Sequence, residues 1–159
     1  EVRELRARLA SSPATAGAAA PTLPVATSVE VGRFSGFLPT SGDPAAPRRF
    51  RVEFMPLDGR GRFMQVAASA EIEVLQGAES PARSPTAPAA SSRAALARVS
   101  LSPEEVREAY RSTFVGTFYE HVLDLPAPTP AGPLTIRVTL HDGLTGQTLV
   151  GEQIVKPRD

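Results

Sequence analysis

The amino-acid sequence predicts an all-β fold: an antiparallel, seven-stranded sandwich of two sheets, with a short N-terminal helix and one short helix between strands. Three observations lead there. Apolar residues alternate with polar ones at Phe50, Val52 and Phe54, at Ile72 and Val74, and at Leu134, Ile136, Val138 and Leu140. Such period-two alternation marks strands with one buried face. Turn formers interrupt the alternating runs at Asp58-Gly59-Arg60-Gly61 and at Asp142-Gly143-Leu144-Thr145-Gly146, where Asp-Gly tolerates positive φ. And 159 residues suffice for one domain with a sizeable core but not for two.

The elements follow in order. Residues 1–10, EVRELRARLA, put Val2, Leu5 and Leu9 at heptad positions a, d and a, flanked by Glu and Arg. This fits the tail of a coiled coil, or a short surface helix that frays. So short a stretch does not separate the two, and so short an isolated helix is marginal in water. Residues 11–24 are Ala, Pro and Ser with no core-forming side chains, as in a semi-extended linker. Residues 25–157 are the expected sandwich domain.

Within it, a first strand is expected over Val25–Phe34, with Val25, Thr27, Val29 and Val31 on one face, and then a loop over Ser35–Arg48. The second strand, Phe50–Leu57, has the clearest alternation, with Arg51 and Glu53 on its other face. A third strand, near Ser69–Leu75, carries Glu71 and Glu73 outward. Gly77–Ser92 is a second Ala/Pro/Ser stretch, long for a loop inside a compact domain. A fourth strand, Ala94–Leu101, follows. Ser102-Pro103-Glu104-Glu105 is a capping box with Pro at the first helical position. It predicts a helix over Pro103–Arg111 with Val106 and Tyr110 on its packed face. Strands over Thr117–Leu125, Leu134–His141 and Gln147–Val155 complete the seven, the last two as a hairpin.

Composition excludes several kinds of chemistry. Formal net charge is zero, and no run of Lys and Arg is dense enough to grip phosphates, so nucleic acid is not an expected partner. There is no Cys, which removes disulfides, thiolate metal sites and cysteine nucleophiles. No segment is apolar enough for a membrane-spanning helix. The chain starts at Glu1 without Met, as in a processed product or a fragment.

Candidate chemistry is sparse. His121 shares its expected strand face with Tyr119, Leu123 and Leu125, and reads as a half-buried structural histidine rather than a general base. His141 reads as an exposed strand-end residue. Asp43, Asp58, Asp124 and Asp142 are scattered singly, without the spacing of a calcium loop. No cofactor and no metal are expected. Phe37 and Phe63 fall in expected loops, where an exposed aromatic suggests a protein interface more than a sugar site.

Residues 49–62 (RFRVEFMPLDGRGR), 69–75 (SAEIEVL), 118–126 (FYEHVLDLP) and 133–155 (PLTIRVTLHDGLTGQTLVGEQIV) carry a resemblance. Over Val25–Lys156 the chain resembles the immunoglobulin-like or fibronectin-type β-sandwich. The whole layout is similar to that of uncharacterised cell-envelope proteins of planctomycete-type bacteria, which have a helical N-terminal part, an Ala/Pro linker and one C-terminal sandwich.

The expectation is therefore not an enzyme. It is a structural or protein-interaction module of a bacterial cell envelope or extracellular assembly, secreted or envelope-bound. Its partners would be proteins, with homo-oligomerisation through Val2, Leu5 and Leu9 of the N-terminal helix and contacts at Phe37 and Phe63. The alternative is an accessory domain that binds carbohydrate, or a peptide added as a strand to a sheet edge.

Overall fold

The computed structural model describes residues 24–39, 47–77, 95–128 and 132–156. The expected helix over residues 1–10, the linker up to residue 23 and most of the stretch over residues 77–92 lie outside them.

The described residues form β1 (Ser28–Val31), β2 (Gly36–Phe37), β3 (Arg48–Leu57), β4 (Ala68–Gln76), β5 (Ala95–Leu101), α1 (Pro103–Glu108), β6 (Tyr110–Thr113), β7 (Gly116–Leu125), β8 (Leu134–Asp142) and β9 (Thr148–Val155). They make two antiparallel sheets. One has the order β1-β3-β7-β6, with β2 also on β3, and the other has the order β5-β4-β8-β9. Strands alternate their side chains between faces, so each sheet buries one side against the other. Phe50, Val52 and Phe54 of β3, Ile72 and Val74 of β4, Leu125 of β7 and Ile136, Val138 and Leu140 of β8 are all fully buried. The alternation read from the sequence is thus the core itself.

Two strands were not expected from the sequence, so nine strand segments stand among the described residues where seven were expected. The first-strand stretch breaks after Val31, and Gly36–Phe37 resumes along the same edge of β3. The break is organised around Glu53. Gly32 N donates to the Glu53 carbonyl (2.7 Å), and the Ser35 hydroxyl stands in for a strand partner by accepting from Glu53 N (2.9 Å). A side chain at residue 32 would meet the Glu53 Cβ at 2.7 Å, so Gly is needed where the edge kinks. The second addition is β6. The helix stops at Ala109, and Tyr110–Thr113 pair with β7 from Tyr119 back to Gly116.

The capping box forms as read. Glu105 N donates to the Ser102 hydroxyl and Ser102 N to the Glu105 carboxylate. The helix is short, but it drives Val106 completely into the core.

Glu73 is not outward in solvent but buried among cations. The register sets it opposite both Arg98 of β5 and Arg137 of β8, and Arg137 in turn opposite Glu152 of β9. Arg98 pairs with Glu73, and Arg137 Nε lies 2.6 Å from Glu152 Oε1. This row of alternating charge crosses all the strands of that sheet.

Candidate functional site

Pairing register fixes which loops share an end of the sandwich. Phe54 lies opposite Tyr119, so the end of β3 meets the start of β7 and the β6–β7 turn. Ala68 lies opposite Asp142, so the start of β4 meets the β8–β9 turn. Thr27 N donates to the Leu57 carbonyl, so the chain reaches β1 at this same end. The β3–β4 loop, the β6–β7 turn, the β8–β9 turn and the approach to β1 therefore gather together.

Two aspartates build these turns. Asp58 Oδ1 accepts from the backbone N–H of Arg60 (2.8 Å) and Arg62 (2.9 Å), and Oδ2 accepts from the Arg62 guanidinium. The hydrogen bonds from Arg62, backbone first and then side chain, pull the Asp58 carboxyl down to about 2. Asp142 does the same for the other turn, accepting from Leu144 N and the Thr145 hydroxyl. Burial alone would push its pKa up, but these bonds outweigh burial and the carboxyl lies below its ordinary value. Both aspartates are engaged in turns. Among the described residues, no three His, Asp or Glu side chains gather in a way that could hold a metal ion.

This end presents several apolar side chains to solvent, beside the exposed Arg60 and Arg62. Phe114 is fully exposed and Leu144 largely so, with Val115 and Val25 also exposed. Each sits on one of the gathered segments. Behind them Phe63 lies on Tyr110 and Tyr119, and Tyr119 stacks on Phe54. The Tyr119 hydroxyl accepts from Val66 N (3.2 Å), which ties the β3–β4 loop to the sheet.

At the opposite end, a groove of about 530 Å³ runs between β2 and the end of β9. Up to Val31 the two sheets are sewn together. The Gln153 side-chain amide, oriented so that its nitrogen faces the carbonyls, donates to Val31 (2.7 Å) and Gly32 (3.1 Å). Beyond Gly32 the edges part, and Arg33, Phe34, Phe37, Arg48, Arg51 and Lys156 line the opening.

Phe37 and Phe63, expected as exposed loop contacts, are both half-buried and packed against the core. Phe37 belongs to β2, where it meets Phe50 edge-on with ring centres 5.0 Å apart. Phe34 and Phe114 are the exposed aromatics instead. Val2, Leu5 and Leu9 lie outside the described residues. His121 is half-buried, and burial lowers its pKa against a smaller upward pull from Glu105. The exposed His141 ring meets the Thr148 hydroxyl at 3.1 Å. The two histidines lie on different sheets.

Comparison with protein-family models, with curated proteins and with solved structures finds no match to this chain.

Proposed function

We propose that the chain is a non-enzymatic β-sandwich module, secreted or held in a bacterial cell envelope, that makes protein contacts within an assembly. The observation that carries this reading is the set of exposed apolar side chains at one end, Phe114, Val115, Leu144 and Val25. Bulky apolar side chains held out on separately ordered turns are the expected residue types of a protein contact surface. The chain also reaches the sandwich at this end. A helix at residues 1–10 that set copy number would therefore bring these ends of neighbouring copies toward one another.

The sheet orders support an immunoglobulin-like relationship. In constant-type immunoglobulin sandwiches, strands A, B, E and D form one sheet and C, F and G the other. Taking β1, β3, β4, β6, β7, β8 and β9 as A to G reproduces both orders, with β5 added beside C. Fold alone carries no function, so the weight rests on the exposed end.

Size-exclusion chromatography with light scattering tests the proposal on the whole chain. The expected result is a defined oligomer that dissociates in the Val2→Ser, Leu5→Ser, Leu9→Ser variant and weakens in the Phe114→Ser, Leu144→Ser variant. A wild-type chain that stays monomeric across a hundredfold range of concentration would sink the assembly reading.

A further inference from the structure

We infer that the groove between β2 and β9 binds an extended acidic segment of a partner protein. Three features of the groove point to this ligand.

The first is charge. The protein as a whole is neutral, with 17 basic and 17 acidic residues, yet Arg33, Arg48, Arg51 and Lys156 converge on one opening. Arg51 is partly neutralised by Glu53 (3.5 Å) and Glu120 (3.8 Å). Arg33, Arg48 and Lys156 take part in none of the ion pairs among the described residues.

The second is orientation. The Arg48 guanidinium lies 4.1 Å above the Phe37 ring, and that of Arg33 lies 4.8 Å above Phe34. A guanidinium held over a ring face by this contact still has N–H donors for another partner. Such donors match a carboxylate through paired hydrogen bonds. The rings also hold long side chains that would otherwise lose rotamer freedom on binding. The two phenylalanines thus act as mounts for two carboxylate receptors.

The third is shape. The groove runs between two strand edges. β2 pairs only with β3, and β9 only with β8, among the described residues. An extended chain laid along a sheet edge finds backbone partners there and pockets for alternate side chains. A volume of about 530 Å³ falls within the range of ligand sites, roughly 300–1,000 Å³, and suits a short extended segment. Half-exposed Phe34 and Ile154 offer apolar contact at the rim.

The groove lies at the opposite end from Phe114 and Leu144, so it is a second surface and its test is independent of the first. The probe is a fluorescein-labelled peptide of alternating Glu and Val, measured by fluorescence anisotropy against the full chain. A Gln-for-Glu peptide and a labelled oligothymidylate are run alongside. The expected result is saturable binding of the Glu peptide that weakens with added salt, with at least tenfold weaker binding of the Gln peptide. Arg33→Gln, Arg48→Gln should weaken it at least tenfold, while Arg107→Gln on α1 leaves it unchanged.

Amide chemical shifts of the wild-type protein supply a readout that needs no variant. They should move at Gly36, Phe37 and Val155 and stay fixed at Leu144. Preferential binding of the oligothymidylate, equal affinity for both peptides, or shifts confined to other residues overturns the inference.

Discussion

At the scale of single residues, this protein uses carboxylates as turn organisers. Asp58 is the clearest case. One oxygen gathers the backbone of residues 60 and 62, and the other takes the Arg62 guanidinium. The sign of the pH effect follows from its lowered pKa. A carboxyl that titrates near 3.8 when unfolded and about 2 when folded stabilises the fold above the unfolded value. That contribution disappears as pH falls from about 4 toward 2. Urea unfolding of the wild type at pH 2–5 should show stability falling with acid, and Asp58→Asn should flatten the fall. Some slope remains in the variant, because Asp142 and Glu105 are also lowered. An identical slope in both proteins would show that the Asp58 turn does not persist in solution. Glu53 carries the opposite sign. Burial raises its pKa, against a smaller downward pull from Arg51, so its charged form opposes folding as pH rises through the folded value.

At the scale of elements, α1 is too short to stand alone. It exists because its cap and its buried Val106 act together. Replacing Ser102 by Ala removes the bond to Glu105 N and should cost about 1 kcal/mol. The check is the urea midpoint, and an unchanged midpoint would mean that Val106 burial alone holds the turn. This element was legible in the sequence because a capping box is a local signal. So were β3, β4 and β8, whose alternation spans most of each strand, and the final hairpin, marked by its Asp142-Gly143 turn. The unread strands were short edge pieces. Tyr110 satisfied the helical spacing from Val106, which hid the start of β6, and β2 was hidden behind a kink whose reason, Glu53, lies on another strand. The sites were less legible still. Phe63 looked like a loop aromatic because its partners, Tyr110 and Tyr119, are remote in sequence. The groove's cations come from three separated segments, so no run of basic residues announced them.

At the scale of the whole molecule, the fold depends on a seam between its sheets. β1 of one sheet lies against β9 of the other. Gly151 makes this possible, since a Cβ there would sit 2.3 Å from the Val29 carbonyl oxygen. That oxygen belongs to strand backbone paired with β3, so it cannot swing away as a flexible side chain would. Gly151→Ala must therefore push the sheets apart at this edge, at a cost of about 3 kcal/mol. Gly59→Ala is the control, because a Cβ there meets nothing within 4 Å and should change stability by no more than about 0.5 kcal/mol. The seam runs on to Gln153, whose bonds to Val31 and Gly32 mark where the groove opens. Forcing the sheets apart at Gly151 should then also disturb the groove. Under conditions where Gly151→Ala remains folded, its affinity for the acidic peptide should fall, while Gly59→Ala binds as the wild type does. Loss of stability with peptide affinity intact would separate the seam from the groove.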